Sequence, residues 1–214
     1  MVHYLPLVEF PAQLAVSHFV ASRWFPFYSD FTPTQKCEWL AWVSTVMFQT
    51  TFTMGYLYLG WDPLEIGIYF FGHIVYDTLF LITYNRDPLM LAHHLIAGGL
   101  CGTLYFAEPS IVLEIANGTA LLERSNILLG IVWLLNRAGY GKTLAIQVLG
   151  AIALLVYLSL RLFWFPHYLL VEASTPVAWA LGIFLPMNVI WSWKLVTYYY
   201  HIAFATKSGG DRLE

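Results

Sequence analysis

Seven runs of about twenty apolar residues, separated by short breaker-rich loops, constrain this chain more than any other feature. A helix needs roughly 20 such residues to cross a bilayer, and inside the hydrocarbon each segment must satisfy its own backbone polar groups. The runs fall at about 5–24, 38–60, 64–84, 89–107, 110–135, 143–165 and 177–200. Between them lie Pro26 to Pro33, Trp61-Asp62-Pro63, Asn85-Arg86-Asp87-Pro88, Glu108-Pro109, Asn136 to Lys142, and Phe165-Pro166 through Thr175-Pro176, all rich in turn formers. Charged residues make up only 11% of the 214, against about 25% in a soluble domain. That is too little charge to dissolve so much apolar surface. A net charge of −3 argues against a nucleic-acid partner. The expected fold is all-α, a polytopic membrane protein of about seven transmembrane helices.

Orientation follows from where the bases sit. Arg23, Lys36, Arg86, Arg137, Lys142, Lys207 and Arg212 lie near the ends of runs 1, 3 and 5 and in the tail. Glu9, Asp62, Glu65, Glu108 and Glu172 mark the other side, which has no Lys or Arg. The positive-inside rule then puts the N-terminus outside or in the lumen and the C-terminus in the cytosol. The first run does not read as a cleavable signal, because no base precedes it and no small-residue cleavage site follows.

Polar groups inside the runs are the functional candidates, since a charge in hydrocarbon costs several kcal/mol unless paired or hydrated. Asp77 lies about two turns before the cytosolic end of the third run, and His93-His94 lie about one turn into the fourth. The three should share a depth, with the carboxylate placed to orient an imidazole. His73 and Asp77 share a face at i, i+4, as do Glu123 and Asn126 at i, i+3. Adjacent residues diverge by about 100°, so one histidine is expected to face a chamber and the other a neighbouring helix. Glu123 and Arg124 suggest a local ion pair. Arg161, at the outer end of the sixth run, either snorkels or binds substrate; Lys194 reads as a snorkelling residue. No His-x-x-x-His occurs in any run, and no metal site is expected.

In order, the chain reads Lys36-Cys37-Glu38-Trp39, Val43-Ser44-Thr45, Tyr76-Asp77-Thr78-Leu79-Phe80 and Leu91-Ala92-His93-His94-Leu95, then Leu121-Leu122-Glu123-Arg124-Ser125-Asn126, Leu160-Arg161-Leu162-Phe163 and Met187-Asn188-Val189-Ile190-Trp191-Ser192-Trp193-Lys194. This set resembles the TLC-domain superfamily, which includes ceramide synthases and translocation-associated membrane proteins, and is most similar to its small stand-alone branch. The resemblance implies an N-terminal helix and loop over 1–35, a TLC-like domain of six helices over 36–200, and a tail over 201–214. It also implies a six-helix barrel around a lipid-sized chamber and a place in the endoplasmic reticulum.

The function implied is lipid handling, through either of two routes. One is acyl transfer of the ceramide-synthase type, from acyl-CoA as co-substrate to a lipid amine or hydroxyl such as a long-chain base. His93, His94, Asp77 and Glu123 are then the catalytic candidates, and His73, Asn126, Arg161 and Asn188 the substrate-binding ones. No bound cofactor is expected. The other route is a non-catalytic lipid-binding protein that regulates membrane composition. Two departures bear on the choice: the stretch at Glu123 has no histidine of its own and carries Asn126 in place of a second acid, and Met47 stands where the small branch often has a histidine. The partners expected are membrane lipids, and the sequence leaves a homodimer open.

Overall fold

The computed structural model describes residues 5–60, 62–85, 88–103 and 107–205. The order is α1 (Leu5–Trp24), α2 (Pro26–Ser29), α3 (Pro33–Leu59), α4 (Pro63–Phe80), α5 (Pro88–Thr103), α6 (Pro109–Leu135), α7 (Leu144–Ser159), α8 (Phe165–Val171), α9 (Thr175–Gly182) and α10 (Phe184–Ala205). There is no strand among the described residues. Among the described residues, three helical stretches are long and apolar enough to cross a membrane: Pro109–Tyr140, Leu144–Val171 and Thr175–Tyr200.

Proline starts half of these helices. Pro26, Pro33, Pro63, Pro88 and Pro109 each open one, where the missing N–H costs nothing and the fixed φ suits the first turn. Helix α3 has a full capping box as well. Thr32 Oγ1 accepts from the Gln35 amide at 3.3 Å, and Gln35 Oε1 accepts from the Thr32 amide at 2.9 Å. The helix ends at Gly60, whose φ of 66° suits glycine.

Several helices end in a widened π-type turn, at Leu81–Asn85, Asn136–Tyr140 and Leu160–Trp164. The last of these overturns one expected boundary. Pro166 has no N–H to return to Leu162, so a loop was expected from Phe165 onward. Instead the Phe165 amide bonds Leu160 O, five residues back, and the helix runs on to Val171.

Helix α6 is the hub, packed against α3, α4, α7, α8 and α9. Its buried positions include Ala116, Gly118, Ala120, Ser125 and Gly130, small residues that let neighbouring backbones come close. Toward the start of α6 the core is dry, with Phe48, Phe70, Ile74, Ile115, Phe165, Leu181 and Phe184 in one cluster. Large apolar groups also cover the outside; Leu170 is 85% and Trp179 81% exposed. An apolar core inside an apolar skin is the pattern of a lipid-bathed bundle.

Candidate functional site

Below the dry cluster, helices α3 to α7 and α10 enclose a cavity of about 530 Å³, within the ~300–1,000 Å³ usual for small-molecule sites. Its lining runs to the end of the bundle that carries Glu38, Trp133, Lys194 and Tyr198, and exposed Lys194 and Tyr198 mark its open end. Of the eight residues expected at a site, seven line it: His73, Asp77, His93, His94, Glu123, Asn126 and Arg161. The eighth, Asn188, joins through Arg161.

Arg161 is the best-connected group there, and it corrects the snorkelling reading. Because α7 continues through the π turn into α8, Arg161 lies ten residues inside the helical stretch Leu144–Val171, roughly 15 Å from its end. Only 4% of it is exposed. Nε donates to Ser125 Oγ at 2.9 Å, Nη1 to Asn188 Oδ1 at 2.7 Å, and Nη2 to Asn126 Oδ1 at 3.1 Å and Leu122 O at 3.3 Å. The guanidinium also lies over Tyr157, 4.7 Å from the ring centroid, and near Trp191 at 5.9 Å. A planar fork with several fixed donors suits this role and an ammonium would not.

Glu123 does not form the local ion pair with Arg124. Its Oε2 accepts from Gln49 Nε2 of α3 at 2.7 Å, both side chains buried. Gln49 does not stand out in the sequence, because it is uncharged and sits in an otherwise apolar run. A lone glutamine there was itself a signal, since an amide in hydrocarbon also needs a partner. Met47, by contrast, is 46% exposed.

The histidines correct a second expectation. Both His93 and His94 line the cavity, with ring centroids 5.5 Å apart. His93 meets Trp191 edge-on at 4.9 Å and Phe184 at 5.3 Å, which fixes its ring. Asp77 was expected to orient this pair, but its carboxylate meets His73 Nε2 at 3.3 Å, within α4. His73 in turn stacks on Phe48 at 5.0 Å. Among the described residues, Nδ1 of His93, Nδ1 of His94, Asp77 Oδ1 and Gln49 Oε1 have no hydrogen-bond partner. The same residues bring no three His, Cys, Asp or Glu together in a way that would hold a metal ion.

At the open end Glu38 pairs with Arg137 at 3.2 Å, and Arg137 also lies over Trp133 at 5.1 Å, so this base is partly neutralised. Trp42 stacks on Trp133 at 5.4 Å beside the pair. Lys194 is exposed at the mouth. Arg86 and the tail from Thr206 lie outside the described residues. A model of the TLC domain family matches residues 35–197. The chain belongs to the TLC domain family. No curated protein and no solved structure matches it at a level that would establish relatedness. Membership makes this a membrane protein related to lipids, and within its TLC domain lie the cavity, both histidines, the Arg161 cluster and the Gln49–Glu123 contact.

Proposed function

We propose that this TLC-domain protein spans the membrane seven times, its N-terminus lumenal and its C-terminus cytosolic, in the endoplasmic reticulum. Six of its helices form a barrel that holds an acyl chain and transfers an acyl group at His93 and His94. One observation carries this reading: two adjacent histidines, two carboxylates and a buried guanidinium meet in a single lipid-sized cavity. Perturbed ionisable groups in a cleft are where acid–base chemistry is usually found.

In the step proposed, an unprotonated histidine nitrogen attacks the thioester carbonyl carbon of an acyl-CoA. The carbon–sulfur bond breaks and the thiolate leaves, taking the imidazole proton. The acyl-imidazole then acylates a lipid amine or hydroxyl, whose proton passes by way of the second histidine to the departing imidazole nitrogen, restoring both rings to the neutral form. Asp77 and His73 supply a further acid–base pair at the inner wall, and Glu123, held by Gln49, faces the acceptor. The open end with Lys194 admits the acyl-CoA, whose phosphates a lysine attracts.

A second reading has its own support. Arg161 spends its donors on Ser125, Asn126, Asn188 and Leu122 O, and Glu123 is met by Gln49, so these groups serve one another. That favours a rigid lipid-binding protein that regulates membrane composition without chemistry.

Intact mass spectrometry after incubation with a long-chain acyl-CoA separates the two. Acyl transfer predicts a gain of one acyl group that disappears in His93→Ala or His94→Ala. An unmodified protein that co-purifies with a defined lipid supports the second reading.

A further inference from the structure

Among the described residues, a charge at mid-helix has no partner, and it is not one of those that line the cavity. Arg124 stands midway along the helical stretch Pro109–Tyr140, 15 residues from one end and 16 from the other. At 1.5 Å per residue that is roughly 22 Å either way, and the centre of a bilayer is about 15 Å from each interface. Snorkelling over that distance is beyond an arginine side chain. Its neighbour Glu123 turns inward to Gln49, and Arg161 is committed elsewhere. Arg124 itself has no hydrogen bond, ion pair or ring contact among the described residues, and its Nε is shut off from solvent. The residue as a whole is only half-buried, and it is not among the residues that line the cavity. Asn117, two turns earlier on the same stripe, is exposed and holds Tyr56 Oη at 2.6 Å.

We infer that Arg124 and Asn117 mark a docking face for a transmembrane helix of another protein, one carrying an Asp or Glu at mid-span. Charge complementarity selects this occupant. A cation in hydrocarbon is tolerated when it is paired, and the acids of this chain that are described at that depth, Asp77 and Glu123, are turned into the cavity. Among the described residues, a second copy therefore has no carboxylate to offer there. Lipid phosphates lie at the interface, out of reach. The face is independent of any chemistry in the cavity.

The test uses the purified full chain in phosphatidylcholine vesicles, donor-labelled, with acceptor-labelled synthetic peptides. The probe is a Leu/Ala transmembrane helix with one central Glu; the controls carry Gln or Leu there. Energy transfer to the Glu peptide should exceed that to either control. Arg124→Leu should weaken the Glu peptide's association about tenfold, and Arg124→Lys should keep most of it. Arg124→Leu removes an unpaired charge, so unfolding is not expected, and bound lipid read by mass spectrometry checks the fold. Equal transfer to all three peptides would show general apolar packing and overturn the inference. So would an Arg124→Leu variant that binds the Glu peptide normally. Transfer between two labelled copies that Arg124→Leu abolishes would make the occupant a second copy, and anionic lipid displacing the Glu peptide would make it a headgroup; either result overturns the inference.

Discussion

The Arg161 guanidinium donates four hydrogen bonds, three to α6 and one to α10. Removing it leaves buried Ser125 and Asn188 and half-buried Asn126 with unmet groups and takes away two ring contacts. Arg161→Ala is therefore expected to lower stability by about 3 kcal/mol, a figure typical of breaking a buried charged cluster. Arg161→Lys should recover less than half, because a single ammonium cannot reach acceptors on separate helices. Thermal unfolding in one detergent, at fixed lipid content, reads both. Gln49→Leu deprives the Glu123 carboxylate of the Gln49 amide donor, and a hydrogen bond to a charged group contributes about 1.5–3 kcal/mol. Gln49→Leu and Glu123→Gln together should cost less than Gln49→Leu alone, since the amide needs less compensation. Equal losses in the single and double variants would show that Gln49 acts by packing. At this scale the sequence was half legible. Asp77, His93, His94 and Glu123 stood out because charge and imidazole are rare in apolar runs. Gln49, Tyr157 and Trp191 did not, because neutral residues there look like packing until a partner across the bundle is seen.

Helix α3 packs tightly against α6 at Gly130, where an added Cβ would run into Val46 Cγ2 and sit 3.4 Å from Trp42. Gly130→Ala should cost about 1–3 kcal/mol through overpacking, although alanine is the better helix former. A melting temperature unchanged or raised in Gly130→Ala would show that the helices separate easily. The π turn at Leu160–Trp164 sets a related constraint. It holds one residue more than a regular α-helical turn, which changes the face presented by everything beyond it by about 100°. Deleting Phe163, which is 71% exposed, should leave helix content by circular dichroism unchanged. It cannot, however, keep both Arg161 on Asn188 and Tyr168 on the Glu114 carbonyl, now bonded at 2.7 and 2.5 Å. Element boundaries were legible where Pro opens a helix, as at Pro33, Pro63, Pro88 and Pro109. They were not legible at Pro166, where a π turn absorbs a proline that local rules read as a stop. The depth of Arg161 was misjudged for that one reason.

For the whole molecule, the decisive question is which side of the membrane the cavity opens to. The mouth lies at the end where α3 and α5 begin and α6 ends, beside Glu38, Arg137 and Lys194. Those are the loops to which the positive-inside rule assigns the cytosol, and the opposite end carries Glu108 and Glu172. Acyl-CoA is a cytosolic, multiply charged molecule that does not cross hydrocarbon unaided, so acyl transfer through this mouth requires that orientation. Single cysteines in place of exposed Lys142 and Glu172, in a chain with Cys37→Ser and Cys101→Ser, test it directly. The stretch Leu144–Val171 separates the two positions and is 28 residues long, enough to span the membrane. In sealed vesicles of known sidedness, a membrane-impermeant maleimide should label Lys142→Cys from the cytosolic side alone and Glu172→Cys from the lumenal side alone. The inverse pattern would put the mouth in the lumen. The cavity would then face away from acyl-CoA, leaving lipid binding as the function its lining supports. Labelling of both from one side would mean that α7 and α8 fold back without crossing, and with them the buried position of Arg161 would lose its physical basis.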